Sequence, residues 1–149
     1  MAGYFKGFEV KRLLLLVIGV LPLTAHCEVV SENLCFEMGD GSPVKFELRT
    51  YYDTTNKLEG GFVKYASSGV PIPLVLTDSQ SEEVSPDRPG ELTRTWSEVL
   101  EGKVTGTYEM VSQGGMIVSM SYTNKSSGKE YGFFYTATEV SLEKGCQWE

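Results

Sequence analysis

The chain has 149 residues, about the size of one domain. With 41% hydrophobic and 11% aromatic residues it can build a core, which excludes a disordered chain. Its formal net charge of −7 repels phosphate backbones and argues against a nucleic-acid partner.

The N-terminus reads differently from the rest. Lys6, Lys11 and Arg12 precede the apolar run Leu13–Leu21, and Pro22 then breaks it before Leu23-Thr24-Ala25-His26-Cys27. A positive region, an apolar run and small residues, in that order, predict a secretory signal peptide over 1–27 and a mature domain over 28–149. The apolar run is too short for a membrane span, which needs about 20 residues. Cutting after Cys27 places Ala25 at −3; the alternative is a lipid anchor on Cys27, which would tie the chain to a membrane. The expected location is periplasmic or secreted. The first 27 residues take three of the 13 Lys/Arg and one of the 20 Asp/Glu, so the remainder carries a formal −9. Such a surface attracts a cationic partner and speeds the encounter with it.

Three cysteines occur: Cys27, Cys35 and Cys146. Cleavage after Cys27 leaves an even pair, and an oxidising compartment closes such pairs. A Cys35–Cys146 disulfide is therefore predicted, tying together the two ends of the mature domain.

From Leu34 onward, short strands alternate with turn chemistry. Leu34–Met38 comes first, then the turn Gly39-Asp40-Gly41-Ser42-Pro43. Val44–Tyr52 places Val44, Phe46, Leu48 and Thr50 on one face, the period-two pattern of a half-buried strand. Asp53–Asn56 turns into Leu58–Tyr65. Ile72–Thr77 follows, and Pro71 and Pro73 suggest an edge. Asp78–Gly90, acidic and rich in proline, reads as the longest exposed loop and as a candidate for a contact surface shared with the 123–131 hairpin. Leu92–Leu100 puts Arg94 and Glu98 on the same face as Trp96. Lys103–Val111 and Met116–Thr123 make a hairpin through Ser112-Gln113-Gly114-Gly115. In the second of these, Met116, Val118, Met120 and Tyr122 share a face. Asn124–Gly128 turns into Lys129–Thr138. Seven or eight short strands at close spacing predict an all-β fold, an antiparallel sandwich or barrel.

The residue inventory argues against an enzyme. The sole histidine, His26, lies inside the signal region, so the mature chain lacks the usual base of a nucleophile triad and the commonest zinc ligand. No Gly-x-x-x-x-Gly-Lys phosphate loop and no Cys-x-x-Cys pair occurs, and neither a metal nor a cofactor is expected. Glu59, Glu98, Glu101 and Glu109 could supply a carboxylate pair for glycoside hydrolysis, but nothing in the sequence distinguishes them.

One short motif stands out. Ser127-Gly128-Lys129-Glu130-Tyr131 has the form Ser-Gly-x-x-Tyr at a turn leading into a strand. It resembles the loop motif of the bacterial periplasmic and membrane-bound lysozyme inhibitors, small exported β domains that are often disulfide-bonded. The resemblance covers these five residues. The family's second motif sets a Trp or Tyr shortly before a Lys-Gly pair; here Lys144-Gly145 follows Leu142-Glu143. The resemblance implies a loop that enters a lysozyme cleft. Ser127 and Tyr131 would meet its acidic catalytic groups, Gly128 would allow close backbone approach, and Lys129 would lie within the contact. The implied function is inhibition of a cationic, wall-directed hydrolase. Two other readings share the same sequence features: an immunity protein against a secreted cell-wall toxin, and an envelope adaptor without inhibitory activity.

Overall fold

A computed structural model describes residues 28–141 and 143–148. The expected signal peptide and Cys27 lie outside the described residues. Eight strands form a closed antiparallel barrel in simple meander order. They are β1 (Val29–Glu37), β2 (Lys45–Asp53), β3 (Leu58–Tyr65), β4 (Pro71–Glu82), β5 (Glu91–Leu100), β6 (Lys103–Gln113), β7 (Met116–Asn124) and β8 (Glu130–Tyr135). A two-stranded ribbon, β9 (Val140–Ser141) and β10 (Gly145–Cys146), follows. The all-β expectation holds, and of sandwich and barrel the fold is the barrel.

Alternation explains the core. Phe46, Leu48 and Thr50 of β2 point inward, as their period-two spacing requires. Phe36, Val63, Leu74, Trp96, Tyr108, Met110, Met120 and Phe133 join Phe46 and Leu48 in one buried cluster. An eight-stranded barrel is just wide enough for such side chains to fill it. Phe46 sits among rings: Phe133 is 4.8 Å away edge-on and Phe36 is 5.3 Å away and stacked.

Closure is narrow. β8 meets β1 through two residue pairs, Phe36↔Tyr135 and Glu37↔Phe134. The chain then leaves the barrel wall and crosses its outer surface. The Thr136 N–H donates to the Cys35 carbonyl at 2.8 Å. β9 and β10 pack against the outside of β1 and β2, and the Cys35–Cys146 disulfide holds them there with the Cα atoms 5.9 Å apart. The predicted pairing of these cysteines is therefore present.

Three sequence expectations need correction. Asp78–Glu82 is strand, not loop: it extends β4 and pairs with Thr95–Glu91 of β5, leaving 83–90 as the connection. This segment is exposed along its length, so no apolar alternation marked it. In β7 the expected apolar face breaks. The register shifts between Val111 and Ser112, so Ile117 packs on the core while Met116 and Val118 face water. The last strand ends at Tyr135 rather than Thr138, because the strap begins there. Pro71 and Pro73 do mark a local edge. There β4 pairs with β3 alone, and pairing to β5 starts at Leu74.

Candidate functional site

A meander sends alternate turns to alternate ends of the barrel. The turns after β1, β3, β5 and β7 share one end, here the hairpin end. Those after β2, β4 and β6 share the other. The 83–90 connection follows β4 and the Ser127 turn follows β7. The two loops therefore lie at opposite ends and cannot form one contact surface.

At the hairpin end, Ser127, Gly128, Lys129 and Tyr131 come together as the β7–β8 turn and its exit strand. One side-chain oxygen organises the tip. Asn124 Oδ1 accepts from the Ser126 and Ser127 N–H groups at 3.1 and 3.0 Å, and from their hydroxyls at 2.9 and 3.1 Å. Such an Asx turn fixes a loop that few contacts would otherwise hold. Gly128 has φ +67°, the left-handed region, and its N–H donates to the Asn124 carbonyl at 2.8 Å. Ser127 Oγ also accepts from the Lys129 N–H at 3.3 Å. To donate to a partner's carboxylate, Ser127 must release Asn124.

Behind the tip lies an apolar depression. Tyr131 is 37% exposed and stacks on Tyr122, with ring centroids 6.4 Å apart. Met38, Val44, Tyr65 and Phe133 complete a concavity of about 190 Å³. Its floor rests on a polar network inside the barrel. Glu98 is buried and receives three hydroxyls: Thr105 Oγ1 at 2.6 Å, Tyr122 OH at 3.2 Å and Tyr108 OH at 3.3 Å. Tyr65 OH lies 2.7 Å from Tyr108 OH. A buried carboxylate is tolerable only with such donors. Gly106, in the register position opposite Glu98, makes room for this, since a Cβ there would strike the Tyr122 ring. Burial pushes the Tyr65, Tyr108 and Tyr122 hydroxyls above their ordinary range, and the Glu98 charge adds to the shift. All three remain protonated donors at neutral pH.

The four glutamates considered for a catalytic pair separate. Glu98 is held by hydroxyls near the hairpin end. Glu59 sits toward the opposite mouth, bonded to Trp96 Nε1 at 3.2 Å and to Arg94 Nη1 at 3.5 Å. Glu101 lies in the β5–β6 turn with φ +49°, and Glu109 is exposed.

Sequence reading missed the Glu98 network and the Arg94 cluster. The one available signal was the pair of charges on the Trp96 face of β5, which the structure turns inward. Compared with known proteins, the chain matches no family model, no curated protein and no solved structure.

Proposed function

We propose that this protein is an exported binding protein that inhibits a cationic peptidoglycan-degrading enzyme such as a lysozyme. The hairpin tip Ser127-Gly128-Lys129 and the neighbouring Tyr131 are its contact element. The supporting observation is the tip itself: an exposed turn fixed by Asn124 Oδ1, mounted on a closed barrel beside a half-exposed tyrosine. A pre-ordered loop loses little conformational freedom on binding. The acidic chain attracts a basic enzyme over distance, and the tip supplies hydroxyls for its carboxyl groups. The disulfide is compatible with an oxidising compartment.

The test is a titration of muramidase and amidase activities with the purified protein at low ionic strength. One equivalent should abolish the activity of the target enzyme, and added salt should weaken the inhibition. The double variant Ser127→Ala/Tyr131→Ala should inhibit at least about tenfold more weakly. Full hydrolase activity under excess protein would rule out the inhibitor reading. Undiminished inhibition by the double variant would move the contact elsewhere on the barrel.

A further inference from the structure

The end of the barrel opposite Ser127 holds a cavity of about 440 Å³ that the inhibitor reading does not use. Small-molecule sites fall in this size range, and the mouth of a β-barrel is one of the places they favour. Val30, Tyr52 and Leu92 form its apolar lining. Arg94 lies at its inner side, with the guanidinium 5.1 Å from the Trp96 ring centroid. Arg94 Nη2 pairs with Glu32 Oε2 at 2.8 Å and Nη1 with Glu59 Oε1 at 3.5 Å. Trp96 Nε1 donates to the same Glu59 oxygen.

The charges do not balance. One carboxylate would neutralise Arg94, yet two line the cavity. The Glu59 side chain is 10% exposed and that of Arg94 is 14% exposed, so water screens this pair poorly, whereas Glu32, 40% exposed, lies at the open side of the cavity. Glu32 uses Oε2 and Glu59 uses Oε1. Among the described residues, the second oxygen of each carboxylate has no hydrogen-bond partner, although a carboxylate can accept at both. Arg94 Nε is buried without a partner, but an anion drawn to it would lie against the Glu32 and Glu59 carboxylates as well. A cation would meet acceptor oxygens that no protein donor occupies, and the net negative charge of the chain favours its approach.

The geometry points to a binding site for a small organic ammonium ion with an apolar body. Its N–H groups donate to the free oxygens of Glu32 and Glu59. Its hydrocarbon lies against Val30, Tyr52 and Leu92. This site is independent of the hairpin, so neither reading depends on the other.

Three isosteric probes test it: octylammonium, octanol and octanoate, titrated by calorimetry into protein expressed from the full 149-residue sequence. The Trp96 indole N–H resonance serves as a local reporter. Octylammonium should bind saturably at one equivalent and shift that resonance. Octanol and octanoate should bind at least about tenfold more weakly. Glu59→Gln and Glu32→Gln should each weaken octylammonium by about tenfold or more. Glu32 is the more exposed of the two, so Glu32→Gln carries the test if Glu59→Gln does not fold. Octanoate binding as tightly as octylammonium would overturn the assignment. So would unchanged affinity in Glu32→Gln, or the absence of heat and of a Trp96 shift at millimolar octylammonium.

Discussion

Glu47 Oε2 accepts a hydrogen bond from the backbone N–H of Cys146 at 3.2 Å, joining the second barrel strand to the C-terminal strap. Glu47 points outward from β2, yet it is 1% exposed because the strap covers it. Arg49 at 2.7 Å and Lys64 at 3.3 Å complete its partners. Gly145 is required here twice over: its φ is +78°, and a Cβ would strike the Glu47 carboxylate. Glu47→Ala removes an acceptor from a buried N–H and a counter-charge from two cations. The expected loss is about 2–3 kcal/mol of unfolding free energy, since Arg49 and Lys64 can regain water. Urea unfolding of the oxidised protein measures it, and a loss within 0.5 kcal/mol, roughly the scatter of surface substitutions, would contradict this account.

The disulfide anchors the same strap. Its cysteines are separated by 111 positions, and in the chain-entropy account a loop of that length contributes about 4–5 kcal/mol. Cys35→Ser/Cys146→Ser should lower stability by that order. It should also raise amide exchange in 136–141 and 143–148 before the barrel strands, because the bond is the strap's covalent anchor to β1. Uniform protection across strap and barrel in the double variant would show that the strap holds without the bond.

Alkaline pH should destabilise the fold through the tyrosine network. Burial raises the Tyr65, Tyr108 and Tyr122 hydroxyls above the ordinary value of 10.0. Above that pH the unfolded chain releases protons that the native state retains. The contribution of this network is therefore full below pH 10 and declines as pH rises. Tyr108→Phe should flatten the fall in stability between about pH 9 and 11. An identical alkaline slope in the variant and the parent would exclude Tyr108 as a source.

Asn124→Ala should loosen the hairpin tip without disturbing the barrel. It strips one acceptor from four donors in an exposed turn, at a cost of about 1 kcal/mol. If the tip is the contact element, inhibition should fall at least as far as in Ser127→Ala, because the whole loop loses its order. Equal inhibition by Asn124→Ala and the parent would separate tip geometry from binding.

Much of the barrel was legible locally. Phe46, Leu48 and Thr50 alternate cleanly, so β2 and its inward face follow from spacing alone. The Ser127 hairpin is likewise readable, since Asn, Ser and Gly at those positions are turn chemistry. β4 was legible only to Thr77, because Asp78–Glu82 is exposed and pairs without burying an apolar face. The bulge that turns Val118 outward depends on register with β6, and no residue in β7 announces it.

The sequence by itself indicated the all-β class, most of the turns and the Cys35–Cys146 pair, because these rest on period-two spacing, turn residues and the expected removal of Cys27 with the signal peptide. Tertiary structure decided the rest. Closure of the barrel rests on Phe36 meeting Tyr135, a contact between chain ends that no local pattern encodes. It also decided the environments of Glu47, Glu98 and Arg94. A charge survives burial only beside its partners, and those partners are Cys146, Tyr122 and Glu32, each supplied by another strand.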